Sequence, residues 1–392
     1  MTKLCRRVSD SGASILLLAT LACALLALVP RDASSQRGQA GPPEQAAVEP
    51  VNLLPNPYMT IRDFGTLPNG RSWGSVSAVN VDVDGIHIWA GDRCGTNSCA
   101  TSDVDPMVKL DPDGNVVASL GGGQLIWPHG MDVDAEGNVW VADARLANAG
   151  ELERNPSAAN RGSAVVKFSP DGRVLLTLGT PGEMGDPPTH LREPNDVLVA
   201  PDGSIFVGET HGAQFEDAPG PNSRGRITKW APDGTFIMSF GEWGYGDGQF
   251  RAPHSLAMDS QGRLFVADRG NRRIQIFTQD GVHLDTWYQF SRISGLFIDD
   301  NDVLYAIDSE SGPRYNPGWR KGLRVGSART GEVWYFIPEH PSARASGMGG
   351  LGSMGEGVTA DAQGNVYAGE VGPIQGMSKF IPQWIPYGGF GR

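Results

Sequence analysis

The sequence predicts an all-β fold, a six-bladed β-propeller whose last blade is closed by an N-terminal strand. Three observations predict this fold. A unit of alternating apolar residues and Asp-Gly-type turns occurs in six copies. Each copy has the length and pattern of one four-stranded blade. The composition, with 53 Gly, 28 Pro and 19% charged residues, suits short strands joined by turns.

Each unit begins with two short strands around a tight turn. The six copies are VNVDVDGIHIWAGD, MDVDAEGNVWVAD, VLVAPDGSIFVGE, LAMDSQGRLFVAD, LFIDDNDVLYAID and VTADAQGNVYAGE. A third and a fourth strand follow around a second turn, as in VVKFSPDGRVLLTLG. Asp-Gly and Glu-Gly pairs supply the positive φ that tight hairpins need, so each unit predicts one blade.

The sixth unit, residues 355–380, ends before its fourth strand. The segment YMTIRDFG, residues 58–65, matches fourth strands of other units such as TFIMSFG. Because a strand added to the last blade removes an exposed sheet edge, we expect this segment to close the ring.

The N-terminal part of the chain predicts export. Residues 1–36 contain the basic stretch KLCRR and then the uncharged run ASILLLATLACALLALV, which indicates a signal peptide or, alternatively, a membrane anchor. Residues 37–56 predict a flexible linker, and residues 57–392 the propeller. We expect a periplasmic or secreted monomer that contacts a membrane only through a retained anchor.

Charge and cysteine usage narrow the possible partners. The net charge of −12 argues against nucleic acid or an anionic membrane as the main partner, because either would need a basic patch. Outside the predicted signal the only cysteines are Cys94 and Cys99, in CGTNSC. Export makes a local disulfide between them plausible.

The first strand of each propeller blade lines the central channel, so equivalent residues form a ring around the axis. The strong metal ligands in this ring are His129, His254 and Glu356, in blades two, four and six. Alternate blades lie about 120° apart, so these side chains are predicted to converge on the axis. The aligned ring residues are Ser77, His129, Asn195, His254, Ser294 and Glu356.

Three protein ligands with an open fourth position are typical of a catalytic metal site, so we expect a divalent metal, zinc first. Two histidines and one carboxylate also suit iron or manganese. The alternative interpretation is that the channel residues are polar because the channel holds water, and that the Pro-His pairs are turn features.

The second strands end in acids that are predicted to bond backbone donors and turns. The residues that follow these acids include Arg93 and Arg269, which can hold a substrate carboxylate. His211 in GETHG lies one position further and can act as a base. The alternatives are a surface or acid-paired arginine and a solvated loop histidine.

The segment FGEWGYGDGQFRAPHSLAMDSQGRLFVADRGNRRIQIFTQDG resembles NHL repeats, and LIWPHGMDVDAEGNVWVAD is similar to part of the peptidyl-α-hydroxyglycine α-amidating lyases. Lyases of this family are zinc enzymes that cleave a C-terminal hydroxyglycine into a peptide amide and glyoxylate. The resemblance spans approximately residues 57–385. It implies zinc ligands at His129 and His254 and substrate-binding arginines at Arg93 and Arg269.

The sequence differs from the family at two positions that take part in metal binding and catalysis. The third zinc histidine falls on Glu356 and the catalytic tyrosine on His211. A charged Glu ligand makes the metal a weaker Lewis acid, and His transfers a proton at a different pKa from Tyr. A calcium-binding aspartate of the family falls on Gly357, so the resemblance does not extend to that calcium site.

The sequence therefore predicts a metal-dependent lyase or hydrolase for a small carboxylated or hydroxylated substrate or a peptide. Arg93 and Arg269 would hold an anion and His211 would move a proton. The alternative is a non-catalytic propeller that binds a protein, peptide or glycan on its loop face. Three long loops on one rim fit either function. They are residues 144–163, 210–225 and 309–322.

Overall fold

Six four-stranded antiparallel sheets follow one another along the described part of the chain. The computed structural model describes residues 48–215, 220, 223–341, 354–372 and 375–383, and all of them fall in one compact unit, Pro42–Arg392. The six sheets are the blades of a β-propeller, as predicted. We number them 1 to 6 in chain order and give their strands from the innermost outward.

Blades 1 to 3 take their strands in chain order. Blade 1 comprises Val76–Val81, Ile88–Asp92, Met107–Leu110 and Val116–Leu120. Blade 2 comprises Pro128–Val133, Val139–Asp143, Ala164–Phe168 and Val174–Leu178. Blade 3 comprises Pro194–Val199, Ile205–Glu209, Arg226–Trp230 and Phe236–Phe240.

Blades 4 and 5 repeat this order, and blade 6 adds an N-terminal strand. Blade 4 comprises Pro253–Met258, Leu264–Asp268, Arg273–Phe277 and His283–Trp287. Blade 5 comprises Gly295–Ile298, Val303–Asp308, Gly322–Ser327 and Val333–Pro338. Blade 6 comprises Gly357–Ala360, Val366–Val371, Gln375–Pro382 and Tyr58–Ile61.

The elements between the blades are short. The helices are Ala149–Arg154 and the 3-10 turns Pro68–Gly70, Pro156–Asn160, His211–Phe215 and Arg269–Asn271. A parallel pair of two-residue strands joins Glu242–Trp243 to Gln249–Phe250. None of the helices described here is long and apolar enough to cross a membrane.

The N-terminal strand closes blade 6 as the sequence predicts. Tyr58 pairs with Pro382 and Ile61 with Lys379, in antiparallel register. The paired strand ends at Ile61, so it is shorter than the matching segment 58–65. Its pairing covers the outer edge of the last blade.

The hydrophobic core is divided among the interfaces between blades. Six apolar clusters each join two consecutive blades, and one of them packs Val76 and Ile88 of blade 1 against Tyr367 and Met377 of blade 6. A buried Val, Ile or Phe contributes about 1.5–3 kcal/mol, so these clusters stabilise the ring. Because one cluster joins the last blade to the first, the ring is closed.

Close packing at the axis requires small residues on the inner strands. A Cβ added to Gly130 would lie 2.1 Å from Asp196 Oδ1, and a Cβ added to Gly357 would lie 2.2 Å from Ser77 O. The family resemblance described above would place a calcium-binding aspartate at Gly357. This backbone has no room for a side chain there.

The structure covers only part of the region predicted as signal and linker. The predicted signal, residues 1–36, and linker residues 37–47 lie outside the described residues. In the rest of the predicted linker, Asn52 donates to Gly318 O at 2.8 Å and accepts from Arg320 N at 3.0 Å. Phe336 N donates to Pro55 O at 3.2 Å, so this stretch lies against blade 5.

Candidate metal centre

The ring residues reach the axis because the inner strands are bulged at their start. In blades 1 to 4 the pairing register shifts across Ser77, His129, Asn195 and His254, leaving each of them without a paired residue on the second strand. A bulge re-aims the side chain of its extra residue. A bulge beside Pro128 or Pro253 therefore turns the histidine that follows toward the channel.

The three predicted ligands line one axial cavity. His129, His254 and Glu356 are buried, and with Ser77 and Ser294 they form part of the wall of a cavity of about 350 Å³. The alignment of first strands therefore brings together side chains that lie more than 100 residues apart along the chain.

Two of the imidazoles are held in the orientation that a metal ligand needs. His129 Nδ1 donates to Asn195 O at 2.7 Å, and His254 Nδ1 donates to Ser294 O at 2.6 Å. These bonds place the ring proton on Nδ1 and leave each Nε2 with a free lone pair. Metal-binding histidines are commonly fixed in this way by a backbone carbonyl. His254 Nε2 is buried and makes no hydrogen bond in the described structure.

His211 completes a cluster that the ring alignment did not include. One ligand atom from each of His129, His211 and His254 lies within 4.8 Å of the others. The ring centroid of His211 lies 4.9 Å from that of His129 and 5.3 Å from that of His254. We call these three residues the histidine cluster. The sequence predicted that His211 would lie in the loop after the second strand of blade 3 and act as a base. It did not predict that His211 would lie beside His129 and His254.

A strained turn brings His211 to the axis. Thr210, immediately before it, has φ 77°, which is unusual for a β-branched residue. The turn is held by Thr210 N, which donates to Arg192 O at 3.0 Å, and by Gly225 N, which donates to Thr210 Oγ1 at 2.8 Å. Such strain clusters at functional sites. The motif GETHG carries no pattern that reveals this conformation.

Glu356 forms an ion pair with Arg269. Arg269 Nη1 lies 3.2 Å from Glu356 Oε1 and 3.0 Å from Oε2, and Arg269 Nη2 donates to His211 Nε2 at 3.2 Å. Glu356 Oε2 is also 3.3 Å from His254 Nε2. The structure therefore places Glu356 next to the histidine cluster but outside it. Arg269, which the sequence predicted to bind a substrate carboxylate, is already paired with the carboxylate of Glu356.

Arg93 also borders the cluster, and its side-chain hydrogen-bond partners among the described residues are neutral, although the carboxylates of Glu356 and Asp143 act on its charge. It donates to Pro128 O at 3.1 Å, Asn97 Oδ1 at 2.7 Å and Ser77 Oγ at 2.7 Å. Its Cζ stacks 3.6 Å from the ring centroid of Trp127. Burial lowers the pKa of Arg93 to about 9, so the guanidinium remains charged at neutral pH. A buried cation of this kind favours an incoming anion.

The cluster imidazoles are neutral at neutral pH. Burial is the largest cause that holds the pKa of each histidine well below its usual range. Nearby positive charges act in the same direction, Arg269 on all three rings and Arg93 on His129 and His211. Neutral imidazole is the form that binds metal. The free Nε2 atoms of His129 and His254 and the close spacing of the cluster thus fit a divalent metal, which would take His211 Nε2 in place of its hydrogen bond from Arg269.

The acids at the ends of the second strands are structural. Asp143 accepts from Ile126 N at 2.9 Å and from Trp127 N at 2.5 Å. Asp268 accepts from Arg251 N at 2.8 Å. These bonds fix the segment that leads into the inner strand of the same blade, which is the structural role that the sequence indicates.

Fold and site together define an NHL-type β-propeller with a buried histidine cluster on its axis. The NHL repeat model matches residues 250–277, in blade 4. Over 287 residues, 70% of the chain, the sequence is 33% identical to peptidyl-glycine alpha-amidating monooxygenase A of Xenopus laevis. It is 25% identical to a probable peptidyl-alpha-hydroxyglycine alpha-amidating lyase of Caenorhabditis elegans, covering 55% of this chain and 59% of that one. The chain is thus an NHL-repeat propeller related to amidating lyases and monooxygenases.

The extent of these similarities is limited. The match covers only 27% of the Xenopus laevis protein. Among solved structures, a gluconolactonase from Xanthomonas campestris has a TM-score of 0.50 at 16% identity, covering 79% of this chain and 86% of that one. That likeness supports the fold alone.

Proposed function

We propose that this chain is an exported, metal-dependent lyase or hydrolase acting on a small carboxylated or hydroxylated substrate, or on a peptide that carries such a group. The observation that carries the proposal is the histidine cluster, with its ligand atoms within 4.8 Å of one another. Relatives named as amidating lyases support a lyase reaction. The N-terminal basic and apolar segment supports export to the periplasm or beyond the cell.

We propose His129, His211 and His254 as the metal ligands. Three imidazoles and an open position suit zinc, and iron or manganese are the alternatives. A metal held there would supply Lewis acidity toward a substrate oxygen. Glu356, 3.3 Å from His254 Nε2 and oriented by Arg269, is then placed to accept a proton. His211 and Glu356 thus exchange the roles that the sequence suggested.

Arg93 is the proposed anchor for a substrate carboxylate. Its guanidinium is buried, lies beside the cluster and has neutral partners in the described structure. Arg269 is less available because Glu356 already pairs with it at 3.0 Å. The substrate carboxylate would therefore bind on the Arg93 side of the axis.

Metal analysis of purified variants tests the ligand set. We expect about one zinc per chain in the wild type, from a single three-ligand site. His129→Ala and His211→Ala should each lose most of the metal, whereas Glu356→Gln should keep it. His190→Ala is the matched control, because this half-buried histidine pairs with Glu183 at 3.1 Å and is not part of the cluster. Circular dichroism checks that each variant is folded.

The outcomes separate the competing interpretations. Retention of metal by His211→Ala with loss in Glu356→Gln would restore the ligand set predicted from sequence. A wild-type protein that takes up no divalent metal would refute the enzyme proposal. It would favour the alternative, a propeller that binds a protein, peptide or glycan on its loop face. Metal-loaded protein is then assayed with a hydroxyglycine-extended peptide and with small α-hydroxy acids.

A further inference from the structure

A disulfide-closed loop lies beside the proposed carboxylate anchor, and no role above involves it. Cys94 and Cys99 are bonded, with their Cα atoms 5.2 Å apart, and they close the loop CGTNSC directly after Arg93. The loop borders the proposed anchor because Asn97, near its centre, bonds to Arg93. Its sequence position alone does not reveal that contact.

Asn97 joins the two groups that border the histidine cluster. Its Oδ1 accepts from Arg93 Nη1 at 2.7 Å and from Trp127 Nε1 at 3.2 Å. The Trp127 ring in turn lies 5.2 Å from His129 and 5.4 Å from His211 between centroids. One oxygen therefore fixes both the guanidinium and the aromatic ring on which it stacks.

The loop itself is held at several points. Ser98 Oγ donates to Glu151 Oε1 at 2.5 Å, and Cys99 N donates to Ile126 O at 2.8 Å. The disulfide adds a covalent restraint. These contacts reduce the freedom of Asn97 before a ligand arrives, so less conformational entropy is lost when an anion binds.

We propose that Asn97 is a positioning residue for carboxylate binding, acting through Arg93 and held in place by the Cys94–Cys99 loop. The inference rests on the proposed function, in which Arg93 binds the substrate carboxylate. Its specific content is that the acceptor must be neutral. An amide oxygen orients the guanidinium without cancelling its charge, whereas a carboxylate at this position would pair with Arg93 and exclude the substrate anion.

The test measures glycolate binding to the purified protein by equilibrium dialysis. Asn97→Ala should weaken binding about 10-fold, the effect of losing one hydrogen bond that orients a charged group. Asn97→Asp retains the acceptor oxygen but should weaken binding more than Asn97→Ala does. A Cys94→Ser, Cys99→Ser variant should resemble Asn97→Ala. Asn301→Ala, in an exposed turn of blade 5, is the control and should bind as the wild type does.

Two further measurements separate positioning from general damage. Metal content should be unchanged in every Asn97 variant, and binding of the uncharged analogue glycolamide should change less than 2-fold, because it does not require the guanidinium charge. A purely structural role would weaken glycolate and glycolamide equally. It would also make Asn97→Asp, the closest isostere, the mildest variant, and either result overturns the inference.

Failure of the proposed function gives a different pattern. If wild-type protein binds no glycolate, or if Arg93→Gln binds it normally, Arg93 is not the anchor and both proposals fall. If Arg93→Gln loses binding while Asn97→Ala keeps it, only the role of Asn97 is wrong.

Discussion

The buried ion pair between Arg269 and Glu356 should stabilise the metal-free protein, and replacing Glu356 measures by how much. Glu356→Gln removes the carboxylate charge 3.0 Å from Arg269 Nη1. At an effective dielectric constant of about 20, that attraction is about 5.5 kcal/mol. The retained amide oxygen and Glu310, 3.8 Å from Arg269, offset part of the loss. We expect the free energy of unfolding to fall by about 3 kcal/mol.

Chemical denaturation followed by tryptophan fluorescence measures this change, and a double-mutant cycle isolates the pair. Arg269→Met combined with Glu356→Gln removes the uncompensated charge, so the double variant should be at least about 2 kcal/mol more stable than Glu356→Gln alone. If Glu356→Gln lies within about 0.5 kcal/mol of the wild type, or if the double variant is no more stable than the single one, the pair does not balance a buried charge.

Two further predictions concern the ring and the loop face. Gly130→Ala places a Cβ 2.1 Å from Asp196 Oδ1 and should lower the free energy of unfolding, measured by urea titration, by about 3 kcal/mol or more. The control is Gly150→Ala, in the helix Ala149–Arg154, where the nearest atom to the added Cβ is 3.6 Å away. It should change the free energy of unfolding by less than about 1 kcal/mol. Hydrogen bonding by Arg145 lowers the pKa of Glu151 from 4.5 to about 2. Wild type should therefore be about 1–2 kcal/mol more stable than Glu151→Gln at pH values above 4.5. This difference in unfolding free energy should disappear as the pH falls through 2 and the carboxylate is protonated. Equal instability of both glycine variants, or an advantage that persists below pH 2, would contradict these two expectations.

The repeat pattern was sufficient to predict the fold. Its period of strands and turns identified the blades, and the matching segment from Tyr58 identified the closing strand. The same alignment placed His129, His254 and Glu356 on the channel wall, because equivalent positions in each inner strand carry the same bulge or directly precede the strand.

The arrangement of the site depended on features that a repeat pattern does not encode. His211 reaches the cluster through the positive φ of Thr210, at the start of the loop that follows the second strand of blade 3. The pairing of Arg269 with Glu356 depends on two long side chains from different blades meeting near the axis. Sequence spacing gives the position of each backbone but not the reach of its side chain.

Arg93 and Arg269 show that side chains at equivalent positions can have partners of different charge. Arg93 and Arg269 occupy equivalent positions, each directly after a strand-end acid. Arg93 turns toward Ser77 and the carbonyl of Pro128, which are neutral, whereas Arg269 extends across to Glu356 in blade 6. Arg93 therefore has neutral hydrogen-bond partners, while Glu356 and Asp143 act on its charge without bonding to it. If Arg93 binds the substrate carboxylate as proposed, it does so because its guanidinium has no hydrogen-bonded anion to displace, whereas an anion at Arg269 would have to compete with Glu356 at 3.0 Å.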